Sequence, residues 1–270
     1  MTVVERSFAG EGLAPAFAAA RARLSLVLAL FGLAAVGWVW TAHEMRGMDN
    51  GPWSSLGGFG WFLGVWCVMM GAMMLPSVAP TVALYGRMSH SSALAPYLFA
   101  AGYLLTWSVT GVAAYGVGAA TTHVFGTTLA WHHAGRAIAG TTLLLAAAYE
   151  MTPLKDVCLG KCRSPLGALL GSWRNGVTGA VRMGAKNGAW CVGCCWALMA
   201  SLFALGVMSV AWMAVVAALI AIEKTLPWRR AGAAVVVAAL LAFGVVVLTA
   251  PDALPGLAVP NGGGMSTGMG

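Results

Sequence analysis

Residues 58–85 read GFGWFLGVWCVMMGAMMLPSVAPTVALY, a run without a single Asp, Glu, Lys or Arg. Roughly 20 consecutive apolar residues cross the hydrocarbon core of a bilayer as a helix, so this run predicts a membrane-spanning helix. Pro76 and Pro80 predict a kink in it, tolerated in a bundle whose neighbours satisfy the freed carbonyls. The rest of the chain is of the same kind. Hydrophobic residues make up 60% and charged residues 9%, with a mean hydropathy of +0.82, whereas soluble domains carry about 25% charged residues. A chain this poor in charge cannot cover a surface that faces water. Its solvent is a lipid bilayer.

Working outward, six further runs fit the same reading. Leu24–Ala42 lies before the quoted run, and Leu94–Ala119, Ala134–Met151, Asn187–Gly206, Val207–Ile222 and Ala231–Ala250 follow it. A signal peptide is the rival reading of the first run. That run is long for the apolar part of a leader, and a cut after Ala42 would put Trp40 where a small residue is wanted. The predicted fold is all-α: one polytopic transmembrane helical bundle of about seven helices over residues 24–250. A tail of residues 1–23 precedes it, a polar loop of about 153–186 interrupts it, and a Gly-rich tail of 251–270, expected to be disordered, follows.

The net charge of +7 sits at the ends of apolar runs and never interleaves with aromatics along one face. It is therefore a topology signal and gives no nucleic-acid footprint. With the N-terminus cytoplasmic, seven spans place thirteen of the fifteen Lys and Arg inside and leave only Arg46 and Arg136 outside. This is the bias of the positive-inside rule. The loop 153–186 and the first turns of the fifth span are then cytoplasmic. His43, His123, His132, His133, Met265 and Met269 fall outside.

The chemistry-bearing residues are mostly sulfur. Cys191, Cys194 and Cys195 fall within an arc of about 100° on a helix and so share one face, with Asn187 one turn earlier. Cys158 and Cys162, four apart, share a face if their segment is helical. Lys155, Lys161 and Arg163 nearby would favour the thiolate, the metal-binding form. Five of the six cysteines thus gather on the reducing side, where persistent disulfides are not expected. Packing as a small hydrophobe is the bland reading of each cysteine alone. Neither spacing completes a zinc signature, and no His is close in sequence.

Met69, Met70, Met73 and Met74 lie with Trp66 and Ser77 on one face about 140° wide, near the middle of their span. Thioether sulfur is a soft, neutral ligand that prefers Cu(I). Joined to the thiols, these methionines favour copper over simple gap filling. Glu150, at the inner end of the fourth span, is a further candidate ligand, since ionisable groups inside spans are commonly functional. Pairing with Lys155 is its bland reading. Glu223 beside Lys224 reads as a helix-end charge pair. His132-His133 with His123, and the Met265 and Met269 tail, read as solvated loop and tail. No phosphate loop, nucleophile elbow, metalloprotease motif or internal repeat is present, so the chain leans away from being an enzyme.

Three blocks resemble one family. They are Trp66-x-x-Met69-Met70-x-x-Met73-Met74-x-Pro76, Tyr149-Glu150-x-Thr152-Pro153-Leu154-Lys155-x-x-Cys158-x-x-x-Cys162-Arg163, and Cys191-x-Gly193-Cys194-Cys195-Trp196-Ala197-Leu198-Met199. The family is that of predicted metal-binding integral membrane proteins, domain of unknown function 2182, and the resemblance covers roughly residues 25–250. It implies a bacterial inner-membrane, multi-pass protein, and it supplies neither substrate nor ligand set.

The expectation is a Cu(I)-binding membrane protein in copper homeostasis, or in delivery to a copper enzyme or from a metallochaperone. The ligands would come from Cys158, Cys162, Cys191, Cys194 and Cys195, with Met69, Met70, Met73, Met74 and Glu150 as secondary positions. Zinc is the other metal such donors admit. Two other classes stand beside it: a thiol oxidoreductase exchanging electrons with quinone, and a scaffold subunit whose cysteines only pack.

Overall fold

The computed structural model describes residues 21, 23–46, 57–89, 94–125, 135–171, 173–206, 209–226 and 228–250. Every regular element among them is a helix. In chain order these are α1 (Leu24–Glu44), α2 (Phe59–Met88), α3 (Ala95–Phe125), α4 (Arg136–Glu150), α5 (Pro153–Arg163), α6 (Pro165–Leu170), α7 (Gly176–Leu205), α8 (Val210–Thr225) and α9 (Arg229–Thr249). Residues 1–20 and 251–270 (Met265 and Met269 included), with His132 and His133, lie outside the described residues. His43 and His123 are exposed.

Five helices, α1, α2, α3, α7 and α9, are long and apolar enough to cross a membrane, and α4 with α5 makes a sixth if that bent pair counts as one span. The expectation was about seven. The difference lies in α4 and α8, whose 15 and 16 residues fall short of the roughly 20 that a span needs. α7 stops at Gly206, whose φ of +114° is a conformation glycine adopts freely. α8 then starts only at Val210.

The stretch 153–186, read as a loop, is largely helical. Pro153 ends the reach of α4 but also opens α5, where its missing N–H costs nothing. The Thr152 hydroxyl caps α5 by accepting from the Lys155 amide at 3.3 Å. The two helices meet at a bend of 68°. α7 likewise begins at Gly176, well before the expected Asn187, so Cys191 sits in mid-helix rather than in a first turn.

α7 is the hub. It packs most extensively on α3, and also on α4, α5 and α8. Outward from it, α3 meets α2 and α2 meets α1, while on the other side α4 meets α9. α2 and α7 are mostly buried, whereas a third or less of α1, α3 and α9 is buried inside the protein. Val36, Val39, Leu105, Val117 and Val245 are all exposed. α2 runs as one helix through both prolines. Pro76, Ser77, Pro80 and Thr81 line a cavity of about 410 Å³ shared with α1, α3, α5, α7 and α8.

Candidate metal centre

The centre is built where the end of α5 meets the middle of α7. The three-four spacing of Cys191, Cys194 and Cys195 puts all three inward, and all three are buried. Cys162, on the last turn of α5, faces them. The Sγ atoms of Cys162, Cys191 and Cys194 all lie within 4.8 Å of one another, a group able to hold a metal ion. Cys194 is the hub of the sulfurs. Its Sγ is 3.6 Å from that of Cys162, 3.3 Å from that of Cys195 and 3.2 Å from the Cys191 carbonyl oxygen. All six cysteines are free thiols.

The neighbouring helices fix this arrangement. From α3 the buried Tyr103 hydroxyl donates to Cys191 Sγ at 3.0 Å. From α4 the Tyr149 hydroxyl donates to the Gly193 carbonyl at 2.6 Å, and its ring meets Trp196 edge-on at 4.8 Å between centroids. From α8 the Lys224 ammonium donates to Cys191 Sγ at 3.1 Å and to Ser77 Oγ at 3.2 Å. An ammonium against sulfur offsets the charge of a thiolate, which a dry site otherwise disfavours.

The remaining candidates are placed differently. Cys158 is buried but packs against the bare backbone of Gly193, where a Cβ would come within 2.8 Å of its sulfur. It is not one of the three gathered sulfurs. Cys67, on α2, pairs with the Ser108 hydroxyl at 3.2 Å. Met69, Met70, Met73 and Met74 are all buried, and of these Met73 joins Cys162, Cys191, Asn187 and Lys224 in the wall of the cavity. Glu150 is bonded by Lys155.

The cations redistribute in a way the sequence did not disclose. Lys155, expected beside the thiols, turns to Glu150 and Glu223. Arg163 donates to the Glu223 and Leu226 carbonyls at the end of α8, and Lys161 is exposed. Lys224 therefore takes the place beside sulfur, and the expected Glu223–Lys224 pair is replaced by Glu223–Lys155. Tyr103 is not singled out by the sequence, and Lys224 reads there only as a helix-end charge. Lys224 near the end of an apolar helix was the available signal, but helix-end lysines are ordinarily read as boundary charges.

Long apolar helices and three converging thiols, two of them buried and Cys162 half-buried, are features of the metal-handling class. The chain belongs to the PpoB2 copper chaperone family, whose family model matches residues 63–247. That match runs from α2 into α9 and includes every residue of the sulfur cluster. Neither the curated proteins nor the solved structures contain a match to the chain.

Proposed function

We propose that this chain is a multi-pass inner-membrane protein, N-terminus cytoplasmic, that holds Cu(I) as cargo and passes it to a copper enzyme or partner. The observation that carries the reading is the convergence of Cys162, Cys191 and Cys194 within 4.8 Å. Three soft thiolates select Cu(I) over the hard cations of the cell. The exposed apolar faces of α1, α3 and α9 suit lipid rather than water, and the charge bias of the sequence supports the orientation. Met73, in the cavity wall beside Cys162 and Cys191, gives the arriving or leaving ion a neutral soft contact. The resemblance to predicted metal-binding membrane proteins is the finer form of the same assignment.

The test is metal analysis of the protein purified natively in detergent, with X-ray absorption at the copper edge. The expected result is Cu(I) in a sulfur-only first shell. A shell of nitrogen and oxygen, or a preparation that takes up no Cu(I) under reducing conditions, overturns the proposal. Lys224→Met is expected to weaken Cu(I) binding about 10- to 100-fold, the range for groups that support a metal's ligands. Competition against a Cu(I) chelator measures it, and unchanged affinity would remove the ammonium from the site.

A further inference from the structure

Apart from the sulfurs, α4, α5 and α8 bring three charged side chains into one dry place. Lys155 Nζ bonds Glu150 Oε2 and, at 2.8 Å, Glu223 Oε2, and the three side chains are no more than 2% exposed. The other oxygens, Glu150 Oε1 and Glu223 Oε1, are buried and have no hydrogen-bond partner. Both carboxyl groups meet the same ammonium.

One ammonium facing two carboxylates leaves one negative charge over when both acids are ionised. Other side chains around the triad make bonds of their own. On α5, Arg163 donates to the Glu223 and Leu226 carbonyls, Asp156 and Lys161 are exposed, and Cys158 packs on Gly193. On α8, Lys224 turns to Ser77 and Cys191. On α4, Tyr149 donates to the α7 backbone at Gly193. α9 presents the Gly232 backbone to Glu223, and Arg230 at its head is exposed. A buried excess charge is avoided by taking up a proton, and a proton is also what an orphaned carboxylate oxygen lacks.

We propose that Glu150 and Glu223 form a proton-binding site that holds one proton between them, so that ammonium, carboxylate and carboxylic acid together are neutral. The proton comes from water and no bond other than O–H forms or breaks. The site stands apart from the sulfurs yet shares one helix with them and a second with Lys224. Lys155 and Cys162 are both on α5, and Glu223 and Lys224 are neighbours on α8. The two orphaned oxygens carry the proposal, which does not depend on the copper reading.

Infrared spectroscopy of the metal-free full-length protein in detergent, at neutral pH in H2O and D2O, tests it. The expected result is a carbonyl stretch of a protonated carboxylic acid that shifts in D2O. It is lost in Glu150→Gln and equally in Glu223→Gln, because Lys155 alone neutralises the carboxylate that remains. In Lys155→Met both acids are expected to be protonated and the band to grow about twofold. If Lys155→Met does not fold, the two Gln variants suffice. Absence of the band in the unaltered protein, or its persistence in either Gln variant, overturns the shared proton.

Discussion

Cys194→Ser is expected to weaken Cu(I) binding by more than about 100-fold, while Cys158→Ser costs less than about 10-fold. Residues that merely support a ligand are worth about 10- to 100-fold, so losing a direct ligand must exceed that range. Serine nearly matches cysteine in shape, but its hydroxyl stays protonated and is a hard donor that Cu(I) disfavours. The effect is largest at Cys194 because its sulfur touches those of both Cys162 and Cys195. The Cys158 sulfur faces the Gly193 backbone instead, so its replacement changes packing rather than the ligand count. Anaerobic competition titration of the two variants, with helical content checked by circular dichroism, gives the comparison. Equal losses at both positions would mean that the metal is not held where the three sulfurs converge.

What the sequence disclosed follows from periodicity and hydropathy, which are local. Charge-free runs located the long helices, and the three-four spacing of Cys191, Cys194 and Cys195 correctly put those sulfurs on one helix face. Thr152-Pro153 ended α4 as expected, but it also capped α5, and a hydropathy scan takes no account of capping. The number of helices long enough to span changed for the same reason. Hydropathy measures solvent preference and is blind to where Gly206 or Thr152 ends a helix. Within the site, Cys158 and Cys162 were equivalent by spacing, yet only the one on the final turn of α5 reaches the α7 sulfurs. Glu223 and Lys224 show the limit most clearly. Adjacent residues on a helix point about 100° apart, so one completes the Lys155 triad and the other reaches Cys191. Only the packing of α5 and α7 against α8 decides which goes where.

The contact between α3 and α7 holds the second large effect, and it ties packing to the metal site. Gly184 and Gly188 lie four apart on α7 and face Phe99, Tyr103 and Thr106 of α3, while Gly102 of α3 faces the Val181 backbone of α7. This is the small-residue pattern that lets apolar helices approach closely. A Cβ on Gly184 would run into the Phe99 carbonyl, and one on Gly188 would lie 2.9 Å from Thr106 Cβ and 3.0 Å from the Tyr103 carbonyl oxygen. The approach also permits the Thr106 hydroxyl to donate across to the Ala185 carbonyl at 3.1 Å. Gly184→Ala gains about 1 kcal/mol of helix propensity, but its methyl group meets backbone that no rotamer change can move aside. Overpacking of this kind costs about 1–3 kcal/mol and occasionally more, so the clash outweighs the propensity gain and the helices must part. A clash with backbone sits at the upper end of that range, so a net loss of about 2 kcal/mol, read as a melting temperature lower by roughly 4–8 °C, is expected in detergent. Because Tyr103 sits on the displaced α3, its 3.0 Å bond to Cys191 should break as well, and Cu(I) affinity should fall with stability. Gly116→Ala on α3 meets nothing within 4 Å, so it keeps its propensity gain of about 1 kcal/mol and should leave Cu(I) affinity within error. If the two variants melt together and bind Cu(I) alike, then α3 and α7 are not in the close contact that sets Tyr103 against the thiols.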